Sequence, residues 1–122
     1  MLFRSRLVPC AGALAVAYEE LGGEVYYAGK PHRPVYEAAL AMAARLRGQE
    51  TIAPDRVLAI GDAMRTDIAG AAAFGVASLF VVRGIHAADV GLEEGSLEDA
   101  RVRQWLSAQP CTPHGFCEHL VW

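Results

Sequence analysis

Two short apolar runs, residues 57–60 and 76–82, flank a stretch with helical spacing, and this arrangement limits the fold more than anything else in the chain. A run that is apolar on both faces has no solvent side, so it belongs in a sheet covered by helices, the usual setting of parallel strands. Strand, helix and strand in so short a span make a βαβ unit, whose crossover is right-handed in nearly all cases. The expected fold class is therefore α/β with a parallel sheet, with residues 57–60 at its centre. Thr66 is placed to cap the connecting helix, and Asp67 lies in its first turn, where the helix dipole favours an anion. Ile68, Ala71, Ala72 and Gly75 are expected to form its small inward face.

The first run leads straight into Gly61-Asp62, and a second carboxylate, Asp67, follows five residues later. Open α/β sheets hold their ligands at the carboxyl ends of their strands. Two acids brought together there suit a hard, oxygen-preferring cation such as Mg²⁺. A metal-assisted phosphoryl-transfer site also needs a nucleophile, and the sequence offers no evident one. Among 11 basic residues, only Lys30 is a lysine. In a chain that otherwise uses arginine, a compact ammonium at one position suggests work that a planar guanidinium does less well.

The remaining segments fit one compact unit. Leu14, Ala17, Tyr18 and Leu21 recur at helical spacing, so residues 11–21 read as an amphipathic helix stopped by Gly22-Gly23. Residues 24–28 alternate like a short strand, and residues 29–32 make a turn. Pro34 suits the start of a helix running to about Leu46, with Tyr36, Leu40 and Ala43 on one face. Pro54-Asp55 breaks the chain before the first apolar run. A helix over 97–106 would bury Val102, Trp105 and Leu106, and the tail from Pro110 has no period.

With 122 residues, 53% hydrophobic and 20% charged, a single globular domain is expected. A net charge of −3 gives no basic field and argues against nucleic acid as a partner. No apolar segment is long enough to span a membrane. Arg4 and Arg6 before a weakly apolar run loosely imitate a secretion signal, but Pro9 and Gly12 interrupt it. Three cysteines, Cys10, Cys111 and Cys117, make no disulfide framework, so a cytoplasmic setting is expected.

Gly12-Ala13-Leu14, Gly29-Lys30-Pro31 and Gly61-Asp62-Ala63-Met64-Arg65-Thr66-Asp67 occur in this order with sensible spacing. Together they resemble the closing motifs of the haloacid dehalogenase (HAD) phosphohydrolase superfamily, in particular its class IIA branch, whose cap domain precedes the lysine motif. The resemblance covers roughly residues 9–86. It implies a partial Rossmann-like core, with residues 1–122 as the C-terminal part of a HAD-like hydrolase and residues 9–28 including the return from the cap. It also implies that Asp62 ligates Mg²⁺, that Asp67 holds the metal's waters or neighbouring groups, and that Lys30 is catalytic, neutralising the transferring phosphoryl group and the attacking carboxylate. Taken singly, each residue has a plain account as a turn aspartate, a helix-start anion and a solvated loop lysine.

The departure from the family pattern is large. Its nucleophile is the first Asp of an Asp-x-Asp-Gly motif, and no two of Asp55, Asp62, Asp67, Asp89 and Asp99 are separated by one residue. The Ser/Thr-bearing second motif is equally unrecognisable, and covalent catalysis without the attacking carboxylate has no first step. The chain thus resembles the C-terminal portion of a longer Mg²⁺-dependent phosphate-monoester hydrolase acting on a small phosphorylated metabolite, and is expected to be inactive alone. The alternative is a non-catalytic remnant that folds against a partner and binds metal or phosphate weakly. Substrate identity and oligomeric state stay open. His32 is expected as a loop histidine, Arg65 as a solvated residue near the site mouth, and Trp105 and Trp122 as packing residues. Cys111, His114, Cys117 and His119 fit no common zinc spacing.

Overall fold

The computed structural model describes the backbone of residues 2–3 and 6–7, and residues 9–92 and 96–121 in full. Arg4 and Trp122 lie outside the described residues. A short antiparallel ladder pairs β1 (Leu2–Phe3) with β2 (Arg6–Leu7). Helix α1 (Ala11–Glu20) ends where expected: Gly22 takes φ 85° and donates to the Glu19 carbonyl, while Gly23 donates to that of Tyr18. This paired closure absorbs the last carbonyls of the helix and needs the left-handed conformation that glycine adopts freely. Helix α2 (Arg33–Leu46) begins one residue before Pro34, with Tyr36, Leu40 and Ala43 half-buried and Ala44 buried.

The main sheet is wholly parallel, with the order β3 (Leu58–Gly61), β4 (Ala77–Val81), β5 (Gly115–Cys117). Leu58 pairs with Ala77 and Gly61 with Phe80, while Leu79 pairs with Gly115 and Val81 with Cys117. All three carboxyl ends therefore lie along one edge. Between β3 and β4 run a π-helical turn over Met64–Ile68 and helix α3 (Ala69–Phe74), closed by Gly75 at φ 87°. Helix α4 (Asp99–Ser107) covers the sheet near β5. The core joins Met64, Ile68, Phe80, Val82, Val90, Leu92, Val102 and Leu106, with Trp105 stacked on Phe80 at a centroid distance of 5.7 Å.

Several sequence expectations are corrected. The β3 strand is at the edge of the sheet, not its centre, and Leu58 and Ile60 are 52% and 42% exposed. The central strand is β4, the longer and more buried of the two apolar runs. Residues 24–28 form no strand among the described residues: Val25 and Tyr27 are half-buried and their neighbours exposed, so the alternation survives without a ladder partner. Leu14, Ala17, Tyr18 and Leu21 are exposed, and α1 has no buried residue, because nothing among the described elements covers that face. Ala72 and Gly75 are also exposed; the inward face of this helical segment is Met64, Asp67, Ile68, Gly70 and Ala71. Thr66 is not a cap, since it lies inside the π turn and Ala63 holds the capping position. The tail, read as patternless, contributes β5. His114 anchors it, its Nδ1 accepting from the Ser78 amide at 3.1 Å while its own amide donates to the Ser78 carbonyl.

Candidate active site

Asp67 is the junction of the site. The π turn places it one residue out of step with an ordinary helix start: its amide donates to the Ala63 carbonyl at 2.8 Å, and the Ile68 amide reaches the same oxygen at 3.2 Å. The side chain thereby turns back over the end of β3. Asp67 Oδ2 accepts from the amides of Asp62 (3.1 Å) and Ala63 (3.0 Å), and Oδ1 accepts from Lys30 Nζ at 2.6 Å. The residue is buried, with 7% of its surface exposed. Burying an ionised carboxylate is costly unless it is paired and hydrogen-bonded, and here both oxygens are occupied. Lys30 and the Asp62 turn, far apart in sequence, are thus tied together by one side chain.

Lys30 sits in a turn closed by the His32 amide donating to the Gly29 carbonyl at 3.0 Å, across a cis Lys30–Pro31 peptide. The hydrogen bond to Asp67 raises the Lys30 ammonium above the usual lysine pKa, against the opposing effect of its partial burial, and the charges of Asp67 and Asp62 add to the rise. The turn is pressed onto α3 at Gly70, where a Cβ would strike the Tyr36 hydroxyl and approach the Pro31 Cα. Tyr36 also stacks on Phe74, and its hydroxyl reaches the Asp67 carbonyl at 3.5 Å. Burial raises the Tyr36 pKa and the nearby Asp67 charge adds to it.

Asp62 is half-buried, and its Oδ2 accepts from the Ile85 amide at 3.0 Å. Among the described residues its Oδ1 takes no hydrogen bond, so one carboxylate oxygen stays open. Two glycines make room for the two acids. A Cβ on Gly61 would collide with the Asp67 carboxyl, and one on Gly84 with the Asp62 side chain. Beside Lys30 a cleft of about 600 Å³ opens, lined by Gly12, Val16, Tyr27 and His32 among others. His32 stacks on Tyr27 with centroids 4.6 Å apart.

Lys30, Asp62 and Asp67 therefore gather at the carboxyl edge of the sheet. Arg65 is exposed on the outer side of the turn. Among the described residues no group of three or more His, Cys, Asp or Glu side chains is arranged to hold a metal ion. Gly84 and the Ile85 amide were not legible in the sequence, apart from the weak signal of a glycine closing an apolar run. His86 and Asp89, which pair across 2.6 Å beside this turn, carried no sequence signal.

The sequence model of the HAD-hydrolase-like family matches residues 27–120. The chain belongs to that family. The match runs past residue 86 through α4 and β5, which the motifs did not reach, and starts after Gly12-Ala13-Leu14. Among solved structures, a haloacid dehalogenase-like hydrolase from Brucella suis 1330 is similar with 43% identity and a TM-score of 0.66, over 97% of this chain and 40% of that one. A p-nitrophenyl phosphatase from Archaeoglobus fulgidus is similar in fold, with 19% identity and a TM-score of 0.59 over 92% of this chain and 37% of that one. A possible sugar phosphatase of the HAD superfamily from Cytophaga hutchinsonii ATCC 33406 gives 23% identity and a TM-score of 0.56, covering 88% and 33%. This HAD-like chain thus spans two fifths or less of the length of these structures. No curated protein sequence matches it significantly. Among the described residues no helix is long and apolar enough to cross a membrane.

Proposed function

We propose that the chain supplies the lysine and metal-loop half of an active site for Mg²⁺-dependent phosphate-monoester hydrolysis, proceeding through an aspartyl-phosphate in a longer protein. The observation that carries this reading is the Asp67 carboxylate, which joins Lys30 Nζ on one oxygen to the Asp62 turn on the other. A hard cation that keeps several waters and uses one or two carboxylates fits the donor set: Asp62 offers an open oxygen, and Asp67, already saturated, fixes the turn rather than ligating. When bound, Mg²⁺ would neutralise phosphate oxygens. Lys30, raised in pKa and half exposed, stays protonated and offers a point charge to the phosphoryl group at the edge of the adjoining cleft. The substrate class is a small phosphorylated metabolite whose organic part lies in that cleft. In this reading residues 9–28 lead back from a cap domain. The free thiols of Cys10, Cys111 and Cys117 fit a cytoplasmic setting.

None of the five aspartates suits the attacking role in the family pattern, so the nucleophile comes from outside these residues. A second reading, a non-catalytic module that folds against a partner and binds metal or phosphate weakly, draws on the exposed Leu58 and Ile60 of β3. The deciding experiment mixes the 122-residue chain with Mg²⁺ and p-nitrophenyl phosphate. No release above a metal-only blank is expected, whereas Mn²⁺, used as a probe, binds and is lost in Asp62→Ala. Saturable release that disappears in Asp62→Ala would overturn the assignment of the nucleophile to another segment. Absence of metal binding would remove the magnesium reading.

A further inference from the structure

The amides of Asp62, Ala63 and Met64 follow one another at the start of the π turn, where a helical segment has no internal acceptors for its first donors. Asp67 Oδ2 takes the first two. The third, on buried Met64, reaches His86 Nε2 at 3.4 Å. The other ring nitrogen, His86 Nδ1, lies 2.6 Å from Asp89 Oδ2. A neutral imidazole that accepts at Nε2 carries its proton on Nδ1, and Asp89 is placed to receive that proton's hydrogen bond. The His86 side chain is 19% exposed and its ring is held against Trp105, with centroids 4.9 Å apart. The residue before it, Ile85, donates its amide to Asp62 Oδ2. Residues 84–89 thus grip the Asp62 turn from the β4 side, as Asp67 grips it from the α3 side.

We propose that His86 is a positioning residue for the Asp62 turn, held in its Nδ1-protonated tautomer by Asp89, and that it sets the direction of the open Asp62 oxygen. The geometry of the turn stands by itself; the consequence for metal affinity rests on the magnesium reading given above. Outer hydrogen-bond partners of this kind orient the residue that meets the ion.

Two substitutions separate the acceptor from the ring. His86→Phe keeps an aromatic against Trp105 and removes the acceptor, while His86→Gln loses the ring and retains an acceptor at about the reach of Nε2. In metal-free protein, amide hydrogen exchange at Met64 is expected to quicken about tenfold or more in His86→Phe and to stay close to wild type in His86→Gln. The melting temperatures are expected in the opposite order, because the ring is retained only in His86→Phe. Mn²⁺ affinity should fall about tenfold in His86→Phe and recover in His86→Gln. Asp89→Asn, at an exposed side chain, should leave the fold intact and give mixed His86 tautomers by ¹⁵N spectroscopy. Unchanged Met64 exchange in His86→Phe, or equal acceleration in both variants, overturns the proposal; an unmixed tautomer in Asp89→Asn removes the role of Asp89. The expected exchange pattern in a wild-type chain that binds no Mn²⁺ upholds the positioning role and refutes the magnesium reading.

Discussion

The half of the chain that is the more apolar in sequence is the less buried. From Gly61 to Cys117 the apolar residues meet each other: Phe80, Val82 and Val102 have no exposed surface, and Met64, Ile68, Val90, Leu92 and Leu106 close around them. From Ala11 to Leu46 only Ala44 is buried, while Leu14, Leu21, Tyr26 and Leu46 are 67%, 86%, 79% and 79% exposed. The site draws on both. Asp62 and Asp67 stand on the packed half, and Lys30 reaches them from the open one, secured by Asp67, by Tyr36 and by Gly70 against Pro31. Apolar content alone, then, does not make a core. Burial needs a facing element, and apart from the packing of α2 on α3 the open half has none among the described residues.

The widest separation between the halves should appear in side-chain truncation. Phe80→Ala is expected to cost about 3–5 kcal/mol of unfolding free energy, enough to leave much of the chain unfolded. Leu14→Ala should change it by less than about 0.5 kcal/mol. Urea denaturation measures both, and equal costs would mean that α1 is packed in solution. Gly84→Ala tests the packed half at the site: the new methyl meets the Asp62 side chain, so a loss of about 1–3 kcal/mol is expected with weakened Mn²⁺ binding. Melting curves and metal titration read the two together.

A smaller effect belongs to the contact between halves. Because the Lys30 pKa is raised in the folded chain, the stabilisation from its pair with Asp67 is complete below the ordinary lysine value of about 10.5. It fades as pH climbs past that value and through the raised one. The difference in stability between wild type and Lys30→Gln should therefore be constant from about pH 6 to 9. It should be below about 1 kcal/mol, since Lys30 is half exposed, and should vanish at higher pH. A difference that instead grows above pH 10 would show that the pair is not what separates the two proteins. Smallest in stability is Leu58→Lys on the β3 edge, within about 0.5 kcal/mol. Its reading is association: an apolar strand edge is a template for pairing, so wild type should self-associate, and the variant should sediment closer to a monomer.

What the sequence disclosed follows the same division by range. Helices α1, α2 and α4 and strands β3 and β4 were legible because spacing and apolar runs are local properties. Lys30, Asp62 and Asp67 were legible as ordered motifs, and the structure brings them together. What stayed hidden depends on distant neighbours. Residues 24–28 alternate yet pair with no strand among the described residues, and three residues at 115–117 become a strand only because β4 lies beside them. The Gly84 seat, the Ile85 amide and the His86 ring reach the Asp62 turn across more than twenty positions, which no spacing rule covers. Thr66 misled because a cap was inferred for an α-helix, whereas the turn there is wider.

That wider turn has an evolutionary and an engineering consequence. A π turn holds one residue more than the α-helical turn it replaces, as if a single residue had been inserted into an older helix. Each residue of an α-helix advances the chain by about 100° around the axis. Ile68 and Ala71 are clamped in the core, so the phase is fixed from Ile68 onward and any change must be taken up in the residues before it, Asp67 included. Deleting Arg65, whose side chain is exposed, would let residues 64–68 relax to α geometry while Ile68 and Ala71 stayed in the core. The carboxylate of Asp67 would then swing away from the Asp62 and Ala63 amides, and Lys30 would lose its anchor. The deletion should leave the far-ultraviolet circular dichroism almost unchanged while the Lys30 ammonium returns to an ordinary titration. The anchoring of Lys30 by Asp67 thus hangs on a length difference of one residue, at a position whose own side chain has no part in it.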